Sequence, residues 1–225
     1  MISRRHLLAA APAFLAACRA KEATAVSAVE TPALKSVAPC PVGCAAMAHH
    51  LRDPVFAALL TRHFSQITPE WEMKMEYILP EGTSATDPSG WRWDRPDAIA
   101  AFAKTHGMRL HGHTLVWYAE KPPAFTAIDG QPNFEAAYRG YITEAASRFK
   151  GVATSWDVVN EPVKDDEPGL REHLWSKNLG QDEHMLIAYE SAAAADPGAV
   201  LFLNDYFLEK PRASGWISCA WPSGC

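Results

Sequence analysis

The sequence has no glycine-rich phosphate loop and no internal repeat. That removes P-loop phosphate binding and solenoid architecture. It has no excess of positive charge: the formal net charge is −5, which gives no electrostatic reason to expect nucleic acid. It has no apolar run of membrane-spanning length near its start, where Leu7 to Ala17 is too short to cross a bilayer. It also lacks a convincing set of metal ligands. His49-His50, His111 and His113 have no Asp or Cys at ligand spacing, and adjacent strand residues point to opposite faces. No metal and no other cofactor is expected.

What remains is an ordinary globular composition. The 225 residues are 48% apolar, enough for one sizeable core. Eight Trp is rich for this length; Trp fills cores, and it also makes flat platforms for sugars and bases. Residues 1–17 read as an export signal, with the twin Arg of SRRHLL ahead of the short apolar stretch. LAAC, Leu15 to Cys18, resembles a lipoprotein processing box, so membrane attachment is expected only through a lipid anchor at Cys18, in the periplasm or at an outer membrane; plain cleavage and secretion is the alternative. Residues 18–40 read as a tether rich in Ala, Thr, Ser, Val and Pro. In an exported protein Cys40, Cys44, Cys219 and Cys225 could pair, or stay free.

From Pro41 the chain alternates short β-rich runs with helical patterns. Strands are expected at Pro41–Met47, Gln66–Thr68, Met108–Val116, Ser155–Glu161 and Val200–Asp205. Helices are expected at Pro54–Phe64, Pro96–His106 and Gln181–Ala195. In a further helix Phe134, Ala137, Tyr138, Tyr141, Ile142, Ala145 and Phe149 form one apolar face. Such alternation argues for parallel βα units. Polar residues at the C-terminal ends of parallel strands stand out, because active sites form there in barrels. Here they are Glu70 and Lys74 after the second strand, His113 and Trp117 at the third, Asn160 and Glu161 at the fourth, and Asn204, Asp205 and Tyr206 at the fifth.

Pro162 ends the fourth strand and leaves Glu161 at its tip. A carboxylic acid in a partly apolar, Trp-lined mouth can protonate a leaving oxygen near neutral pH. Asn160 beside it could donate to a sugar hydroxyl. The same residues also fit plainer roles: an ion pair for Glu161, core packing for His113 and Trp117, a charged helix start for Glu70 and Lys74. Asp157 reads as a buried supporting anion, and the acidic run Asp165 to Glu167 as a solvated loop.

Four blocks, TPEWEMKME, GHTLVW, SWDVVNEP and FLNDY, occur here in an order that resembles glycoside hydrolase family 10, the retaining endo-β-1,4-xylanases with a (β/α)8 TIM barrel. The resemblance covers about residues 41–209. It implies an α/β fold holding about the first five βα units, with xylan or xylo-oligosaccharides as the partner. It implies that Glu161 is the general acid/base and that Asn160 binds the 2-hydroxyl at the cleavage site. It makes Glu70, Lys74, His113 and Trp117 substrate contacts, with Asn204, Asp205 and Tyr206 as support. Trp71 stands where the family usually has Asn, and Glu120 where it usually has Gln. A barrel takes about 250 residues, more than the 225 of this sequence. The family's Gln-Ser-His block and its Thr-Glu-Leu-Asp block, which carries the nucleophile, are absent, and residues 210–225 match nothing in it. The expectation is therefore a xylanase-type chain with its nucleophile strand missing and without activity by itself. The alternatives are a xylan-binding remnant or a fragment that does not fold, with unpaired sheet edges that favour aggregation.

Overall fold

The computed structural model describes residues 31–206. The expected export signal, the lipid-modified Cys18, the Cys219 and Cys225 thiols and the 210–225 tail lie outside the described residues. The elements run α1 (Leu34–Val37), β1 (Gly43–Ala46), α2 (Pro54–His63), β2 (Gln66–Pro69), α3 (Met75–Ile78), α4 (Asp94–Thr105), β3 (Arg109–Trp117), α5 (Pro123–Thr126), α6 (Phe134–Arg148), β4 (Ala153–Asn160), α7 (Leu174–Leu179), α8 (Glu183–Ala195) and β5 (Val200–Asn204). The strands form one sheet in the order β1-β2-β3-β4-β5, and every neighbouring pair is parallel. Crossover helices join the strands, as in the first part of a (β/α)8 barrel.

Local chemistry explains the helix ends. Asp53 caps α2 by accepting from the Val55 and Phe56 N–H groups, and Pro54 occupies the first turn, where it lacks no needed donor. Helix α4 stops at Gly107, whose φ of +61° suits a residue without Cβ. It begins two residues earlier than the apolar pattern suggests, at Asp94. Helix α6 buries Phe134, Ala137, Tyr138, Tyr141, Ile142 and Ala145, the face expected from its periodicity. Helix α8 does the same with His184, Ile187, Ala188, Ser191, Ala192 and Ala195. The one-turn helix α1 falls inside the segment read as a tether. It is bonded to the end of α2, with Leu34 N–H donating to His63 Nδ1 and Lys35 Nζ to Thr61 O.

Strands β3 and β4 form the buried centre of the sheet. Gly112 pairs with Trp156, whose ring is fully buried. A Cβ on Gly112 would lie 2.1 Å from Trp156 Cε3, so glycine is required by contact with the indole. At the edge, β5 leaves Val200, Phe202 and Leu203 exposed. Among the described residues no helix is long and apolar enough to cross a membrane, and Cys40 and Cys44 are free thiols.

Candidate active site

Glu161 directly follows β4 and takes a φ of +54°, the left-handed region that a residue with a side chain seldom occupies. Two contacts hold it there. Its N–H donates to Asn204 O at 2.7 Å, and the Trp117 indole Nε1 donates to its Oε2 at 2.8 Å. Trp117 is fixed in turn, since Trp175 Nε1 donates to Trp117 O. Asn160 is buried, and its Oδ1 accepts from Asn204 Nδ2 at 2.7 Å. That bond orients the amide and leaves the Asn160 NH2 as a donor.

Below this rim lies a polar web. Asp157 Oδ2 accepts from His113 Nδ1 at 2.8 Å and from His111 Nε2 at 3.0 Å. His111 Nδ1 meets Ser155 Oγ at 2.7 Å. Burial pushes the Asp157 carboxyl up, but the hydrogen bonds from His111 and His113 outweigh it and hold the group below the usual carboxylate range. Asp157 is therefore an anion whose lone pairs orient two imidazoles. His111, Ser155, Asp157, Phe202 and Asn204 line a cavity of about 330 Å³ inside the curved sheet.

The β2 end supplies Glu70 and Lys74. Glu70 is exposed, and its N–H donates to Ala46 O of β1. The Lys74 ammonium lies 4.6 Å from the Trp117 ring centroid and 5.6 Å from that of Trp71. Trp71 thus forms one wall of the lysine's aromatic seat. Glu72 is buried and accepts from Ala48 N–H, tying the β1 and β2 turns together.

The other side of the mouth depends on Arg171, which the sequence pattern did not single out. It donates to Glu161 O and to the Tyr206 hydroxyl, pairs with Asp165 at 2.9 Å, and stacks 4.2 Å from the Tyr118 ring centroid. Tyr206 also bonds Asp165. Asp165 is therefore not part of a merely solvated acidic run, because its partners fix the loop beside Glu161. Asp205 accepts from Val163 N–H and steadies the same loop. Arg171 sits in an irregular segment with no helix or strand period, so no pattern flagged it. Glu72 and Trp175 were likewise visible only once the chain was folded, and Glu120, marked in the sequence only as a departure from the family, shows its partners only there. The expected residues do come together at one end of the sheet: Lys74, Trp117, Glu161, Asn160 and Asn204 form a continuous chain of contacts, with His113 and Asp157 beneath.

The family model for "Glycosyl hydrolase family 10" matches residues 32–218. The chain belongs to this family. It is 31% identical over 192 residues to "Endo-1,4-beta-xylanase 2" of Claviceps purpurea, covering 80% of this chain and 56% of that protein. It is 36% identical over 194 residues to "Endo-1,4-beta-xylanase A" of Thermotoga maritima, covering 81% of this chain and 18% of the larger protein. Among solved structures, that of CbXyn10B in native form superposes with a TM-score of 0.72 at 31% identity, over 80% of this chain and 55% of that one. A mutant solved in complex with xylotriose gives the same TM-score, identity and coverage. The chain thus spans about half the length, or less, of these family 10 relatives.

Proposed function

We propose that these residues form the glycone and acid/base half of a retaining endo-1,4-β-xylanase site. One observation carries the reading. Glu161 stands at the tip of β4 in a left-handed conformation, pinned through Oε2 by Trp117 and flanked by the oriented Asn160 amide. A backbone kept in a sparsely populated region marks a position whose side-chain direction matters.

The chemistry follows from the geometry. With Oε2 held by the indole, Oε1 is left to give a proton to the departing glycosidic oxygen. Without it, an alkoxide would have to leave. The Asn160 NH2 would bond the 2-hydroxyl, a contact that strengthens in the oxocarbenium-like transition state. His113 keeps Nδ1 on Asp157 and presents Nε2 to a sugar hydroxyl, while Lys74 and Glu70 reach the glycone.

Retention also needs a second carboxylate about 5–5.5 Å from the first, on the other face of the bond. Asp157 is committed to two histidines and Asp205 to Val163 N–H, so neither is placed to attack an anomeric carbon. The polypeptide of these 225 residues would then bind xylo-oligosaccharides without cleaving them.

Calorimetric titration of the purified chain with xylotriose, alongside a reducing-sugar assay on xylan, tests this. Binding that Asn160→Ala weakens supports the reading, and an absence of binding by a cooperatively folded chain removes it. Export and lipid attachment at Cys18 rest on SRRHLL and LAAC alone. Fatty-acid labelling of the expressed protein, lost in Cys18→Ala, is the matching test.

A further inference from the structure

Glu120 is a buried acid that the proposed chemistry does not use. It lies just past β3, 1% exposed. Its Oε1 accepts from Glu76 N–H at 2.9 Å, while Glu76 Oε1 accepts from Lys121 N–H at 2.7 Å. The two carboxyl groups thus cross-tie the turn after β2 to the turn after β3 through a reciprocal pair of backbone bonds. The tied segment begins at Lys74, whose carbonyl accepts from Tyr77 and Ile78 N–H and which places its ammonium over Trp117. Trp117 closes the circuit, because its carbonyl accepts from Glu120 N–H at 3.3 Å.

We propose that Glu120 is a positioning residue for the sugar site: locked reciprocally with Glu76, its carboxyl holds Lys74 in place over the Trp117 ring. This rests on the reading of Lys74 and Trp117 as glycone contacts. Glu120 itself is too deeply buried to touch a sugar.

The electrostatics make the lock sensitive to ionisation. Burial is the main reason the Glu120 carboxyl is pushed up to about 8; the backbone bond from Glu76 N–H and the Lys74 ammonium lower it, and the Glu76 carboxylate raises it. The Tyr141 hydroxyl on α6 also feels this carboxyl, itself pushed up by burial and by Glu120. Glu120 Oε2 and the Tyr141 hydroxyl are both buried without a hydrogen-bond partner. The neutral acid satisfies the lock, since Oε1 needs only to accept. Ionisation leaves a buried charge on an unpartnered oxygen beside the Glu76 carboxylate. It also draws the Lys74 ammonium off the indole face and toward Glu120.

The test reads Lys74 directly and needs no ligand. The 225-residue chain, labelled with 13C at lysine Cε, is titrated from about pH 5.5 to 9.5, with the Lys74 signal assigned by Lys74→Arg. At pH 6 the ε-methylene protons should be shifted upfield by the Trp117 ring current, and the shift should vanish with a midpoint near 8. Glu120→Gln keeps the accepting oxygen but cannot ionise, so it should hold the shift across the range. Glu120→Ala should lose it at pH 6. If Glu120→Ala fails to fold, the comparison of wild type with Glu120→Gln decides alone. An unshifted wild-type signal at pH 6, a shift that survives in Glu120→Ala, or a Glu120→Gln titration matching wild type each overturns the proposal. Xylotriose affinity should fall about two- to fivefold from pH 6 to 9 in wild type and stay level in Glu120→Gln, the range expected for one cation–π contact. Should the lysine signal behave as stated while xylotriose never binds, the lock stands and the sugar-site reading fails.

Discussion

The indole nitrogen of Trp117 and the carboxyl of Glu161 meet at 2.8 Å across neighbouring strands β3 and β4. Register places them there: Trp117 pairs with Asn160, the residue before Glu161. Trp117 therefore aims the carboxyl. Trp117→Phe keeps most of the ring and deletes the donor. It should cost about 1 kcal/mol of stability, the typical net worth of one hydrogen bond, together with part of the xylotriose affinity. Urea denaturation and calorimetry measure the two. An unchanged stability would mean that the indole bond does not form in solution.

Gly112 offers a sharper test of the packing under the site. Any side chain there drives a methyl group into the fully buried Trp156 ring, which has Phe149 packed 6.1 Å away, centroid to centroid. The indole is large, and Gly112 lies on the adjacent strand, so relief requires separating β3 from β4. Gly112→Ala should destabilise by about 3 kcal/mol, the upper part of the range for overpacking. A loss below about 1 kcal/mol in urea denaturation would show that the strands can part freely.

A histidine pair sets the acid limit. His173 and His184 lie with ring centroids 4.9 Å apart, both buried. Burial lowers His173 to about 4, helped by the neighbouring His184 and Arg171, and burial also lowers His184. A histidine whose folded value is depressed binds protons more readily when unfolded. Its contribution is then fully present above the unfolded value of 6.5 and is lost as pH falls toward 4. For His173 the loss is on the order of 3 kcal/mol, at about 1.4 kcal/mol per unit. His173→Asn, which removes the titrating ring and leaves the backbone bonds to Ser176 in place, should flatten the decline between pH 6.5 and 4 in thermal melts. An identical decline in the variant would assign it to other groups.

The strands and long helices could be read from the sequence because burial imposes a period on them. The apolar face of α6 and the β-rich runs of β3 and β4 are direct consequences of what each element covers. The strand-end residues could be read for a related reason: Glu161, Asn160 and His113 are polar where a two-sided parallel strand should be apolar. The Arg171 hub and the Glu120–Glu76 tie follow no period. They join residues 35 and 44 positions apart, Arg171 to Tyr206 and Glu76 to Glu120; the sequence marks Tyr206 and Glu120, but nothing local marks Arg171 or Glu76 as their partners. The left-handed backbone at Glu161 was hidden as well, because Pro162 announces the end of a strand but not its direction of turn. The short helix α7 carries Trp175 into the core beside Phe125, Phe134 and Tyr138. Its six residues are too few to show a face.

Turnover should be absent from the chain by itself. A polypeptide of these 225 residues should release no more reducing ends from xylan than its Glu161→Gln variant. Cleavage with retention divides the work between an acid that protonates the leaving oxygen and a carboxylate that attacks the anomeric carbon. In the reading proposed above Glu161 takes the first task. For the second, Asp157 lies beneath the rim with His111 and His113 both bonded to one of its oxygens, and freeing it would release both imidazoles. Asp205 follows β5, which pairs directly with β4, so it flanks Glu161 instead of facing it across a bound sugar. An inverting route needs a base about 6.5–9.5 Å from the acid with a water between them, and the same two residues fail it for the same reasons. Loss of a covalent nucleophile removes several powers of ten in rate, well within the reach of a reducing-sugar assay. Adding a polypeptide that carries the opposing carboxylate strand should restore hydrolysis in wild type but not in Glu161→Gln. Turnover by the chain alone, clearly above the Glu161→Gln control, would show that a carboxylate already within it performs the attack.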